Sequence, residues 1–198
     1  MSEPIFKSIF GDAWHQLPEV MQKHYANHPF SNDTNTVKGT LSVHCKAPLI
    51  WLGWLMKWLG QIPPFNQTHV PCTVQFESNP NDATFRFNRT FYFHNSQPYV
   101  FQSRMLQLHR NQVIEIMRFG FCWQMQYGWD GQKVILEHGG YGLYWFKRYL
   151  PLPLTWLLGK GYAEEHALSK TEFEMITHIT HPWWGNLYQY NGRFEVQD

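Results

Sequence analysis

The spacing of apolar residues changes several times along the chain, and each change marks an element. Over residues 12–26, Trp14, Leu17, Met21 and Tyr25 recur at helical spacing, which predicts an amphipathic helix that Asp12 can cap. Pro18 falls inside this pattern and has no N–H to donate, so a break or restart is expected there. Val37 to Cys45 alternates as a strand. Leu49 to Leu59 is a dense apolar block whose only charge is Lys57, read as a short helix ended by Gly60 and the Pro63-Pro64 pair. Trp51, Trp54 and Trp58 fall three and four apart and share one helix face.

From Val70 to about Leu143 the period is two. In Thr84 to Phe93, four phenylalanines (Phe85, Phe87, Phe91, Phe93) share one face, while Thr84, Arg86, Asn88, Thr90 and Tyr92 share the other. Aromatic and apolar residues alternate again from Phe119 to Trp129, and Asp130-Gly131 then reads as a two-residue hairpin turn. The glycine run Gly139-Gly140-Tyr141-Gly142 lacks a dinucleotide-binding spacing and predicts a bulge or tight bend. A second dense block, Tyr144 to Leu158, is limited by Pro151 and Pro153 to a short helix near its end. Strands return from Tyr162 to His181 and from Leu187 to Val196.

These elements amount to about nine or ten strands and three helical pieces. Consecutive hairpins imply an antiparallel sheet, and a sheet of that width curls. The expectation is an α+β fold: a curved half-barrel or open barrel with one apolar helix in its concave side. No repeat or linker divides the chain, so residues 1–198 read as one domain, with 1–30 as an N-terminal helical segment.

Composition narrows the function classes. Aromatic residues make up 18% and charged residues 16% of the 198, the latter below the usual quarter. With a net charge of +1 and no clustered basic face, nucleic acid is not an expected partner. Cys45, Cys72 and Cys122 are odd in number and widely spaced, which predicts small buried hydrophobes in a reducing compartment, with no disulfide framework and no zinc site. The first residues show no secretory pattern, so Asn32, Asn66 and Asn88 read as chance glycosylation matches. No apolar run reaches the roughly 18 residues that span a bilayer. A cytoplasmic location follows, with peripheral membrane association left open. Nothing calls for a cofactor or metal.

Arg89 is the most informative residue. Alternation places it among the four phenylalanines, where an unpaired charge costs several kcal/mol, roughly. Glu115, in the apolar run Val113-Ile114-Glu115-Ile116-Met117, is the best partner, followed by Glu164 and Glu165. One reading is a structural ion pair; the other makes Arg89 a clamp for an anion or carboxylate at the floor of a pocket. The candidate ligand contacts are Arg89, Glu115, Phe87, Phe91, Trp54 and Trp123. The histidines form no HExxH or HxH pattern. His109 and His138 are general-base candidates if a pocket opens beside them. Trp145, Phe146 and Trp156 of the second dense block could wall a lipid-sized cavity or, with Lys57, Lys147 and Arg148, meet a membrane surface.

Several segments together resemble one family. Gly11 to Pro18 (GDAWHQLP) and Val37 to Val43 (VKGTLSV) are similar to its opening. Phe87-Asn88-Arg89-Thr90-Phe91 and Phe101-Gln102-Ser103 resemble its central W-x-R-x-F and F-x-S pattern, with Phe87 in place of Trp. Glu115 followed by Gly120, then Phe173-Glu174 and Gly185 to Gly192, fit the remainder. The family is domain of unknown function 4166. The resemblance covers nearly the whole chain but implies no activity. Such domains occur alone or appended to a dehydrogenase-like nucleotide-binding region, and only the appended part is present here.

Three functions are therefore carried forward. The first is a non-catalytic module that binds a hydrophobic or amphipathic small molecule, or a lipid, in the concave side of the sheet. The second is a membrane-peripheral or protein-interaction domain that uses the Trp/Leu-rich blocks. The third is an acid/base enzyme using Glu115, Glu164 or a histidine.

Overall fold

The period-two segments become strands that pair in chain order. The computed structural model describes residues 2–47, 49–58, 60 and 62–197, except the side chains of Leu52, Trp54 and Met56. The predicted contact Trp54 thus lies outside the described side chains. The strands are β1 (Thr34–Cys45), β2 (Gln67–Ser78), β3 (Phe85–Phe91), β4 (Tyr99–His109), β5 (Gln112–Ile116), β6 (Phe121–Trp129), β7 (Lys133–Trp145), β8 (Arg148–Leu152), β9 (Lys160–Ala167), β10 (Glu172–His181) and β11 (Gly185–Gln197). All pair antiparallel.

The expected half-barrel is corrected by one seam. β1 pairs with β11 from Thr36↔Gln197 to Cys45↔Tyr188, so ten strands close into a barrel and β8 is left as an extra strand on β7. Hairpins announce themselves through local turns, but this pairing joins the two ends of the meander and has no local signature. Two glycines permit it. A Cβ on Gly192 would lie 2.5 Å from the Cβ of Leu41, and one on Gly39 would lie 2.0 Å from the Arg193 carbonyl oxygen.

β7 divides its second edge. Its residues Lys133 to Glu137 pair with β9, whereas Tyr141 to Trp145 pair with β8. Between these halves Gln124 pairs with Gly140 and Met125 with His138, which leaves Gly139 as the extra residue of a bulge at the expected glycine run. The β7–β8 hairpin folds back over the outer face of β5 and β6, where Tyr144 and Tyr149 cover a small cluster of Ile114, Ile116 and Cys122.

The N-terminal helix differs in detail from the expected one. The chain forms α1 (Ile5–Phe10), a 3-10 stretch over Gly11–Gln16, and α2 (Glu19–His24). Pro18 is the residue before α2, so the break falls where its missing N–H placed it, but Asp12 makes no cap. Phe6 and Phe10 meet Tyr127 with ring centroids 5.3 and 5.9 Å apart, and Phe6 also meets Phe85 at 5.5 Å. This segment plugs one end of the barrel.

At the opposite end, called the mouth, lie the β1–β2 link with its 3-10 turn Leu49–Leu52 and α3 (Gly53–Trp58), the β5–β6 link, β8 with α4 (Thr155–Leu158), and the β10–β11 turn. Among the described residues no helix is long and apolar enough to cross a membrane.

Candidate functional site

Strand alternation sends Arg89 into the barrel, where it is buried. Its guanidinium lies between two aromatic faces, 4.0 Å from the Phe87 ring centre and 3.7 Å from that of Phe101, its cross-strand partner. Desolvated contacts of this type contribute up to about 2 kcal/mol each. Nη2 donates to Glu115 Oε1 and, at 2.7 Å, to Ser103 Oγ, which in turn donates to the same carboxylate oxygen at 2.6 Å. Three adjacent strands thus neutralise one interior charge. The pairing expected between Arg89 and Glu115 is made, and Ser103 is a third member that alternation alone did not single out.

The pair separates two interior chambers. The chamber toward the mouth has a volume of about 100 Å³; Arg89, Phe101, Glu115, Trp123, Thr177 and Tyr188 are among the residues that line it. Leu49, Ile62 and Leu158 face it from the mouth side. The chamber toward the plug holds about 40 Å³ and also touches Arg89, Glu115 and Trp123. Lipid- or drug-sized sites are several-fold larger, roughly 300 Å³ and above. An apolar cavity of roughly 150 Å³ accommodates benzene, so the upper chamber suits a ligand of about that size at most, or a few waters. Among the described residues neither interior chamber is lipid-sized; the hollow beside Trp156, about 600 Å³, is an open groove on the surface.

Three polar atoms beside the upper chamber are unsatisfied. Among the described residues that line it, Arg89 Nε, Thr177 Oγ1 and the Tyr188 hydroxyl are buried without a hydrogen-bond partner. Burial pushes the Tyr188 hydroxyl pKa far up, with Tyr190 and Cys45 adding to the shift. It therefore stays protonated and can donate. One N–H and two hydroxyls, all lacking partners, line a largely apolar space.

His138 fastens the roof. Trp123 Nε1 donates to His138 Nδ1 at 2.9 Å, which fixes the tautomer, so Nε2 donates to Thr155 Oγ1 at 2.9 Å. Burial lowers its pKa, with Lys160 adding to the shift. The histidine links an interior wall to α4. The close approach of Trp123 requires Gly161, where a Cβ would sit 2.7 Å from the indole.

The lower chamber carries a second buried acid. Glu165 accepts from the Tyr25 hydroxyl at 2.5 Å and lies 3.9 Å from His24 Nε2. Desolvation raises Glu165 to about 7 and lowers His24 to about 3. Both partners come from the plug, so this cluster ties α2 to β9.

The remaining sequence candidates are dispersed. Phe87 lines the lower chamber; Phe91 is buried but packs on Phe93 and Tyr99, away from the lining of either chamber. Glu164 belongs to a different cluster from Glu165, bound by Lys133 at 2.6 Å and by the Tyr162 hydroxyl at 2.7 Å. His109 is exposed at the plugged end. Glu115, Glu164 and the two histidines are thus not brought together as an acid/base set. The three cysteines are buried and free, and burial pushes Cys72 up to about 12. Among the described residues no group of three or more His, Cys, Asp or Glu side chains could hold a metal ion. Thr177, Tyr188 and Tyr190 were not singled out from sequence. Their alternation with polar neighbours in β10 and β11 was the available signal.

Residues 17–194 match a family model described as domain of unknown function (DUF4166). A search of the curated proteins finds no match. Among solved structures, EF1p2_mFAP2b bound to DFHBI is 10% identical, with 85% of this chain and 94% of that chain covered and a TM-score of 0.31. The dehydratase domain of the polyketide PpsC from Mycobacterium tuberculosis is 7% identical, with 95% and 84% covered and a TM-score of 0.20. Neither likeness is close enough to inform function.

Proposed function

The chain belongs to the DUF4166 family, a domain of unknown function, and from that premise we propose that its barrel binds a small molecule in the upper chamber. The observation that carries this reading is the set of buried, partnerless polar groups, Arg89 Nε, Thr177 Oγ1 and Tyr188 Oη, on the wall of a largely apolar cavity. A buried polar group left unpaired costs about 1–3 kcal/mol, which a ligand with an acceptor recovers. Glu115 already neutralises the guanidinium, so a neutral carbonyl suits the site better than a carboxylate. The expected ligand is a compact apolar body with one carbonyl-type acceptor, of about benzene's size at most.

Thermal unfolding with cyclopentanone against cyclopentane tests this. A ligand that binds only the folded state raises the midpoint. The ketone is expected to raise it more than the hydrocarbon, and Tyr188→Phe to shrink the difference. Equal responses to both compounds, or a difference untouched by Tyr188→Phe, would count against the reading.

A further inference from the structure

The mouth carries a surface that the interior does not use. Trp51 is 74% exposed, Trp58 60%, Phe146 85%, Trp156 60% and Trp183 71%. They come from four links, Trp51 and Trp58 sharing the one between β1 and β2, and contacts connect these links to their neighbours. Trp58 lies 5.1 Å from Phe119 of the β5–β6 link. Next to it, Gly120 approaches the Tyr144 carbonyl of the β7–β8 hairpin so closely that a Cβ would stand 2.5 Å away. His181 Nε2 donates to the Trp156 carbonyl at 2.9 Å while its ring stacks on Trp184 at 4.2 Å.

Folding does not explain this display. Phe146 and Lys147 form the two-residue turn of the β7–β8 hairpin with φ of 45° and 61°. That conformation favours Gly and Asn, yet it holds an almost fully exposed phenylalanine at the tip. Single exposed apolar residues are ordinary, whereas a ring of them at one end of a barrel marks a contact surface.

Charge identifies the partner. The described residues that build this end, within 44–73, 90–103, 116–123, 138–163 and 175–192, include none of the chain's 15 Asp and Glu residues. They include Lys46, Lys57, Arg118, Lys147, Arg148 and Lys160, all exposed. The near-zero net charge of the whole chain conceals an end whose own links, among the described residues, carry only cationic side chains, with the acid Glu77 beyond them on the wall of the groove beside Arg118.

We propose that the mouth docks on the surface of an anionic phospholipid bilayer. The indole and phenyl rings enter the headgroup layer, where amphipathic rings are favoured, and the six cations face the lipid phosphates and carboxylates. Rings projecting from several separate links suit a fluid interface, which needs no fixed complementary shape. This docking does not depend on the interior ligand.

Flotation of the full chain with vesicles tests it, using phosphatidylcholine alone or mixed with phosphatidylserine. The protein is expected to float with the mixed vesicles, less so at high salt, and far less with phosphatidylcholine alone. Lys147→Glu with Arg148→Glu should weaken binding by about tenfold or more, and Phe146→Ser with Trp183→Ser should abolish it. Phe30→Ser, an exposed apolar residue at the plugged end, should change nothing. Failure to float with phosphatidylserine vesicles overturns the proposal. So does binding indifferent to the mouth variants, or mouth variants that only disperse a self-associated form in sedimentation. Far-UV circular dichroism confirms that each variant is folded.

Discussion

Arg89 is held at the centre of the barrel by a division of labour. Two rings cover its faces, and Ser103 and Glu115 take one edge. Removing one member of such a pair strands the other charge, so Glu115→Leu is expected to cost about 3–5 kcal/mol in urea unfolding. Replacing both, as Arg89→Met with Glu115→Leu, should recover most of that loss, since an apolar pair of similar volume is often neutral. A double variant as unstable as the sum of the single ones would show that the guanidinium is held by its rings and not by its carboxylate. Arg89 and Glu115 were legible in the sequence because each interrupts an apolar strand face. Tyr188 was not, since a tyrosine alternating in a strand looks the same whether it faces solvent, a core or a cavity.

The N-terminal plug makes its own electrostatic prediction. Glu165 is raised from an ordinary 4.5 to about 7, so its favourable contribution is complete below 4.5 and is lost as pH rises through 7. His24 is lowered from 6.5 to about 3, so its contribution is complete above 6.5 and is lost as pH falls toward 3. Between pH 4.5 and 6.5 the two slopes oppose, and their joint contribution is flat. His24→Gln should expose the Glu165 slope, a fall in stability of up to about 1.4 kcal/mol per pH unit as pH rises. Glu165→Gln should expose the opposite slope. Urea midpoints across this range, relative to wild type, check both; variant profiles parallel to wild type would contradict the two shifts. The plug was partly legible: Pro18 marked its break, but α1, at six residues, is too short for periodicity to establish.

Barrel closure is a property of the whole chain. The Asp130-Gly131 hairpin could be read locally, whereas the β7–β8 turn at Phe146-Lys147 has no Gly or Asn to mark it, and the β1–β11 seam joins segments about 150 residues apart. The glycines at that seam carry the only local trace, and glycine in a strand has several meanings. Gly192→Ala should destabilise the protein by about 1–3 kcal/mol through overpacking at the seam, measured as a lower thermal midpoint. Gly128→Ala, where an added Cβ meets nothing within 4 Å, is the matched control and should be neutral or slightly stabilising. Equal effects of the two would mean that the seam tolerates separation.

Closure also places Tyr188 beside Arg89 and so creates the upper chamber. Occupancy of that chamber is read most directly at the Trp123 indole N–H, on its wall, by nitrogen–proton correlation spectra during titration with cyclopentanone. The Trp123 signal, identified by its loss in Trp123→Phe, should shift progressively in the wild type and stay still in Thr177→Ile, whose larger side chain fills the cavity. An unmoved Trp123 signal in the wild type, or the same shift in Thr177→Ile, would contradict a ligand site in the barrel.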